Sequence, residues 1–288
     1  MTGRRVPIKA LTFNVFHDYP LCRHIDHRLA ILEDELAAEA PDVALLQEVS
    51  VSRTHGHLPE RLVEGLRNRG LEYGLAYAPA NGSVAEGGNF EEGSAILSRW
   101  PIAETKVRRL AADHVLKRES HGYSYEEYRI AVRATVVIEP GLSIDVFGAH
   151  VTDVAPGDGV SPRRLQIEDL ARFVAERPSH RVPAIVGGDF NARPEAEEIA
   201  WLRRNGFYDL CTGREPGHTN DANDRDLEHP IDTANQRIDY LFVADAEESQ
   251  LQVGAARLFL AKPAEVAPGR VLWASDHSGI LAELELRL

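Results

Sequence analysis

"PAIVGGDFN", residues 183–191, is an apolar run that breaks off in two glycines, a carboxylate and an amide. The run has the length of a buried strand, and Gly187-Gly188-Asp189 has the chemistry of a turn. A turn alone would account for Asp189 and Asn191. A carboxylate at the end of a core strand, however, must be hydrogen-bonded, paired or metal-bound to be tolerated. The same pattern recurs with Asn14 in "LTFNV", Glu48 in "LLQEV", His150 in "FGAH" and Asp239 in "RIDYLFV", and Asp276-His277 stands just before the last strand-like run, "ILAELEL". Each has a local explanation. Asn14 could bridge a bulge, Glu48 could meet an arginine, His150 could be a hydrogen-bonded core ring, Asp239 could pair with Arg237, and Ser275-Asp276-His277 could be a turn. These explanations are unrelated to one another. One shared site explains all six positions together, because strand ends are where a rigid frame presents side chains.

Outward from this stretch the chain reads as alternating strands and helices. Strands are expected at 8–16 and 43–49, at "YGLAY", "GSAILS", "RIAVRATVVI" and "SIDVFGAH", and at 237–243. Helices are expected at 26–40 and 58–69, from Ser161-Pro162 onward, and from Pro194 to Gly206. Strands often adjoin strands, which favours two packed sheets covered by helices over one parallel sheet. No repeat and no linker interrupts the 288 residues, so one domain over 1–288 is expected.

Hydrophobic residues make up 43% of the chain and charged residues 27%, an ordinary balance for a globular protein. No apolar run is long enough to span a bilayer, and the basic N-terminus lacks a cleavage motif, so a cytoplasmic location is expected. The two cysteines, Cys22 and Cys211, make neither a disulfide framework nor a zinc site. The net charge of −13 disfavours a protein that lives on nonspecific contact with DNA, although cations bound at an acidic site would soften the repulsion of a phosphate.

Carboxylates and amides without thiols select a hard cation, Mg²⁺ or Mn²⁺. An Asp-supported histidine fixes a tautomer and raises the basicity of the ring. Together these residue types describe metal-assisted hydrolysis of phosphoesters.

The segments "LTFNV", "APDVALLQEVS", "GSAILSRWPI", "FGAHV", "GGDFNARP", "QRIDYLFV" and "SDHSGI", in this order over residues 10–284, resemble the endonuclease/exonuclease/phosphatase superfamily. That resemblance implies a four-layer α/β/β/α sandwich of two mixed, mainly antiparallel sheets flanked by helices. It implies a metal held by Glu48 with Asn14, Asp189 and Asp276, and a phosphate contact at His150. It implies that Asp189 and Asn191 orient the attacking water and hold the transition state, and that Asp239 supports a catalytic His277. Tyr128 and Arg129 fall where some members contact substrate.

The expected function is Mg²⁺-dependent hydrolysis of a small or lipid-like phosphate ester. The alternatives are an endonuclease on DNA or RNA, gripping phosphates with Lys106, Arg108, Arg109, Lys117 and Arg118, and a catalytically inactive binding module. Oligomeric state is left open. The sequence departs from the family pattern at Ser278-Gly279, where members often carry an aromatic and a proline; a gap beside His277 is expected there. The long polar segments 105–128, 152–166 and 212–235 are expected to shape the pocket, "HGH" (55–57) to lie in a polar loop, and His24 and His27 on a solvated helix start.

Overall fold

The computed structural model describes residues 5–287 apart from 20, 86–87, 112–115, 121–122, 155–160, 179–181, 215–216, 221–226, 228–235 and 246–250. Most of the polar segment 212–235 and part of 152–166 therefore lie outside the described residues. In chain order the first half contains β1 (Arg5–Asn14), α1 (Ile25–Glu39), β2 (Val43–Ser52), β3 (Gly56–His57), α2 (Leu58–Asn68), β4 (Gly74–Ala85), β5 (Gly88–Ser98) and β6 (Ile102–Arg109). A hairpin of β7 (Leu116–Ser120) and β8 (Tyr123–Glu127) leads to β9 (Ile130–Glu139), β10 (Leu142–His150), α3 (Pro162–Ala175), β11 (Ala184–Asp189) and α4 (Glu197–Arg204). The chain closes with β12 (Phe207–Asp209), β13 (Asp239–Ala244), β14 (Leu251–Phe259), a hairpin of β15 (Ala264–Ala267) and β16 (Arg270–Leu272), and β17 (Gly279–Arg287). None of the described helices is long and apolar enough to cross a membrane.

Two large sheets form, ordered β14-β17-β1-β2-β5-β4 and β12-β13-β11-β10-β9-β6. Each has one parallel pair at its centre, β1 with β2 and β10 with β11, and antiparallel neighbours outside it. Parallel neighbours need a crossover, and α1 and α3 supply the two. Ile8, Ala10 and Leu45 of the first sheet share one apolar layer with Val132, Val146, Ile185 and Leu241 of the second. Leu29, Leu32 and Leu62 of α1 and α2 cover the outer face of the first sheet, and Ile167, Leu170 and Ile199 of α3 and α4 that of the second. The result is the α/β/β/α sandwich expected from the sequence.

This architecture decides where the polar strand ends go. Side chains two apart share a face of a strand. In β1 the face of Ile8 and Ala10 continues to Thr12 and Asn14; in β10 that of Ile144 and Val146 continues to His150; in β11 that of Ile185 continues to Asp189; in β13 Asp239 shares the face of Leu241 and Val243. All four polar groups thus point into the space between the sheets. The parallel register sets Asn14 beside Gln47 and His150 beside Asp189, and the antiparallel register sets Asp189 opposite Asp239.

Glu48 would break this rule, since Ala44 and Leu46 of its face pack against the helices. The register of β2 against β5 shifts between Leu46 and Val49, and Glu48 takes a left-handed φ of 55°. Val49 then occupies the helix-side layer in its place. A bulge of this kind re-aims a side chain at the cost of local strain.

Two long strands, β6 and β14, differ from the sequence reading, as do the short β3, β7, β8, β12, β15 and β16. β6 runs into the segment read as a mixed-charge loop, and β14 has no counterpart among the expected elements. Both are edges of their sheets. β6 is exposed at five consecutive positions, and β14 buries only its last residue. Neither strand carries the apolar alternation that makes a strand legible.

Candidate active site

The six strand-end positions converge. The Asn14 amide donates to Glu48 Oε1 (3.0 Å) and to Asp189 Oδ2 (3.1 Å), so it ties the two sheets together. Its own Oδ1 accepts the Phe16 N–H at 2.9 Å. Asp189 Oδ1 accepts the Asn191 N–H at 2.9 Å, which leaves Oδ2 facing His150 Nε2 (3.6 Å) and His277 Nε2 (3.8 Å). His277 Nδ1 lies 2.9 Å from Asp239 Oδ2. Asn191, with φ at 49°, donates to the Val151 carbonyl at 2.9 Å and lies 3.4 Å from His150. Arg129 Nη1 lies 2.8 and 2.9 Å from the two His150 ring nitrogens.

The ends of the chain meet through one hydroxyl. Ser275 Oγ donates to the Asn14 carbonyl (2.7 Å) and accepts the His277 N–H (3.1 Å). Thr219 Oγ1 accepts the N–H groups of Ile238 (3.0 Å) and Asp239 (3.3 Å), and the Thr219 carbonyl takes the Ser278 N–H at 2.7 Å. The part of 212–235 that is described therefore braces Asp239 and the backbone beside His277.

Burial and the neighbouring Asp239 push the Asp189 carboxyl up to about 7. Burial also pushes Glu48 up, but His17, His150 and the Asn14 amide outweigh it and hold Glu48 well below the usual carboxylate range. Glu48 keeps 17% of its side chain exposed, so it is both anionic and reachable. Burial works against charge on His277, yet Asp239, Asp276 and Asp189 raise it well above the ordinary histidine value. Burial and the Arg129 guanidinium drive His150 the other way, toward the neutral ring. Three carboxylates, one cation-favouring ring and one neutral ring thus share a small space.

Among the described residues, potential ligand atoms of Asp189, Asp239 and His277 lie within 4.8 Å of one another. His277 Nδ1 and Asp239 Oδ2 are engaged with each other there, while Glu48 and Asp189 accept only from amide and backbone N–H groups around them. Asp239 Oδ1 is buried and has no hydrogen-bond partner among the described residues. Asp276 is half-buried beside them, with Oδ1 3.3 Å from Ser275 Oγ.

Some sequence expectations change here. Arg237 does not pair with Asp239: it makes two hydrogen bonds to Asp209 (3.1 and 2.7 Å). The Tyr128 ring lies 3.4 Å from the Arg109 guanidinium, and its N–H donates to Asn81 Oδ1. Gly279 answers to packing between strands. A Cβ on Gly279 would lie 2.4 Å from the Thr12 carbonyl, so a glycine lets β17 close on β1. His55 is buried between Ser50 and Ser52 rather than in an open loop. Of the basic stretch, Arg108 pairs with Glu176 and Asp169, Lys106 makes an exposed pair with Glu104 and Arg109 lies over the Tyr128 ring, while the side chains of Lys117 and Arg118 lie outside the described residues.

Sequence reasoning missed His17, whose N–H donates to Glu48 Oε2 at 3.3 Å and whose Nε2 lies 3.6 Å from it. It also missed Arg28, a buried cation that donates to the carbonyls of Val15 and Ala274 beside the site. A cavity of about 640 Å³ lies away from the cluster, against Arg203, Asp209, Cys211, His218 and Arg237. Its two guanidinium groups are committed to Asp209.

A model of the "Endonuclease/Exonuclease/phosphatase family" matches residues 11–277. No curated protein matches the chain. Among solved structures, the chain is similar to an endonuclease/exonuclease/phosphatase family protein from Leptotrichia buccalis, with 22% identity, a TM-score of 0.70 and coverage of 96% of this chain and 99% of that one. It is similar to a mannosyl-6-phosphatase from Bacteroides thetaiotaomicron, with 18% identity, a TM-score of 0.68 and coverage of 96% and 99%. It is also similar to D. rerio TDP2 complexed with a single-strand DNA product, with 18% identity, a TM-score of 0.64 and coverage of 96% and 98%. Likenesses at these identities speak to the fold.

Proposed function

The chain belongs to the endonuclease/exonuclease/phosphatase family, a family of phosphoester hydrolases, and on that premise we propose that it is a divalent-metal-dependent phosphoesterase acting on a small or lipid-like phosphate ester, with Mg²⁺ as its ion and Mn²⁺ as a substitute. The observation that carries this reading is the unbroken line Glu48–Asn14–Asp189–His277–Asp239, which joins a reachable carboxylate to an Asp-supported histidine.

The donor set fits a hard cation: the acids are oxygen donors, and neither cysteine is among them. Glu48 is its main ligand, with Asp189 and Asp276 able to add oxygens. Asn14, with Oδ1 committed to the Phe16 N–H, serves better to hold the two carboxylates in place than to ligate. A divalent cation there supplies positive charge against phosphoryl oxygens as they gain negative charge.

The remaining steps belong to side chains. Asp189 Oδ2 orients the water that attacks phosphorus in line and accepts its proton. Asn191, braced at Val151, and His150, backed by Arg129, donate to the pentacovalent phosphorus centre. His277, ringed by Asp239, Asp276 and Asp189, is held as a donor to the phosphoryl or leaving oxygen.

A substrate panel tests this: bis-p-nitrophenyl phosphate, p-nitrophenyl phosphate, a phospholipid and supercoiled plasmid, each with Mg²⁺. Asp189→Asn or His277→Ala should lower kcat by about 10²–10⁴ on whichever ester is cleaved. No turnover of any panel member would sink the reading. Turnover of the plasmid alone would replace it with the endonuclease alternative, which the net charge of −13 disfavours.

A further inference from the structure

Glu48 reaches the site through a bulge, so the regular ladder of β2 does not set where its carboxylate points. Two neighbours hold it instead, one at each oxygen. The Asn14 amide donates to Oε1 at 3.0 Å. His17, in the loop after β1, serves Oε2: its backbone N–H donates at 3.3 Å, and its ring Nε2 lies 3.6 Å away. One residue thus offers main chain and side chain to the same oxygen. The ring is oriented by a further bond, for Nδ1 accepts the Tyr19 N–H at 2.9 Å. A ring nitrogen that accepts carries no proton, so the neutral ring has its N–H at Nε2, on the Glu48 side. The Phe90 ring packs against it, tilted by 59° with the centroids 5.3 Å apart.

The backbone on both sides of His17 is anchored as well. Phe16 and Asp18 take left-handed φ values of 60 and 48°. In residues other than glycine, such values persist only where the surroundings impose them. From α1, Arg28 donates to the Val15 carbonyl (2.5 Å) and to the Phe16 carbonyl. On the other side, Asp18 accepts the Arg23 N–H at 2.8 Å and two bonds from its guanidinium at 2.8 and 2.9 Å. The two strained residues and their anchors flank His17 directly, and His17 is the residue between them that meets Glu48.

A carboxylate that must find its orientation on binding a cation gives up rotamer freedom; one already held does not. We propose that His17 is a positioning residue for Glu48, fixing Oε2 as Asn14 fixes Oε1. It thereby sets how tightly the site holds its divalent cation and takes no part in bond breaking. This rests on the phosphoesterase reading for the presence of a cation at Glu48.

Metal binding tests it without requiring turnover. Mg²⁺ alone is titrated calorimetrically into the wild type, His17→Phe and His17→Gln, and its affinity is read again from the rise of each protein's Tm above its own metal-free value. His17→Phe keeps a ring against Phe90 and removes both nitrogens, and should weaken Mg²⁺ binding about tenfold. His17→Gln, whose amide nitrogen stands as many bonds from Cα as the ring Nε2, should stay within about threefold of the wild type. At saturating Mg²⁺, kcat of His17→Phe on a chromogenic ester should return to within about twofold of the wild type. In the wild type, proton–nitrogen correlation spectra should show the His17 ring protonated at Nε2, with that nitrogen shifting as Mg²⁺ is added, which keeps the test independent of how well the variants fold. Unchanged Mg²⁺ affinity in His17→Phe, an equal loss in His17→Gln, a kcat that stays low at saturating Mg²⁺, or a ring protonated at Nδ1 or unmoved by Mg²⁺ would each overturn the assignment. Mg²⁺ binding weakened by His17→Phe in a protein that cleaves no ester would instead overturn the phosphoesterase reading and leave His17 in its role.

Discussion

Arg28 sits in α1, yet its guanidinium ends among the carbonyls of two separate loops. Besides Val15 and Phe16 it reaches Ala274 through Nε at 2.8 Å, so it joins the loop after Asn14 to the loop before His277. Only 2% of the residue is exposed, and burial pushes its pKa down to about 10, which still leaves it charged at neutral pH. A lysine would keep the charge but not the planar fork that bonds several carbonyls at once. Arg28→Lys should therefore lower kcat by about 10²-fold, the scale of an ångström-sized misplacement of reacting groups. KM should stay within about twofold, since the substrate contacts remain. Steady-state kinetics with a chromogenic ester separates the two, and a purely structural role would move folded fraction and leave kcat per folded molecule intact. Nothing in "IDHRLAI" sets this arginine apart from a solvated helix residue. The polar strand ends were legible because a carboxylate contradicts its apolar neighbours. Arg28 and His17 contradict nothing nearby, and only the folded chain brings their partners to them.

At the level of elements, strands with one covered face could be read and strands at sheet edges could not. β9 and β10 alternate or run apolar, whereas β6 and β14 bury too little to show a period. Nor could the bulge at Glu48 be read, because it reverses the face that strict alternation assigns. Another element-scale device is the fastening of the chain after β12. Asp209, fully buried, receives Arg237 from just before β13 and Arg203 from the end of α4 (2.7 and 2.9 Å). Burial pushes its carboxyl up, but the two guanidinium groups outweigh it and hold it below the usual range. A carboxyl depressed in the folded state adds stability that is present above its unfolded pKa of about 3.9 and is lost as pH falls through the folded value. Asp209→Asn should cost about 3–5 kcal/mol at pH 7, because it strands a buried guanidinium. Thermal or urea unfolding across pH 2.5–7 checks this: the gap between wild type and variant should narrow below about pH 4.

For the whole molecule, the acidic balance and the acidic site belong to one account. A net charge of −13 with three carboxylates drawn together predicts that a divalent ion stabilises the fold, not only the reaction. Mg²⁺ at about 100 times its dissociation constant should add about 2.7 kcal/mol, read as a rise in Tm that EDTA reverses. Glu48→Gln should abolish most of that rise, measured against the variant's own metal-free Tm. A Tm indifferent to Mg²⁺ and Mn²⁺ would remove the metal from the proposed chemistry.

The site is also divided between two bodies. Asn14, Glu48 and His277 ride on or beside the first sheet, and His150, Asp189 and Asp239 on the second. The distance from His277 to Asp189 is therefore set by the thickness of the apolar filling behind them, where Leu45, Ile185 and Leu241 meet. That filling works as a gauge block. A methylene added or removed there, out of reach of any substrate, re-spaces the acid from the histidine, so the tolerance of this core is limited by the geometry of a reaction at its edge rather than by folding alone.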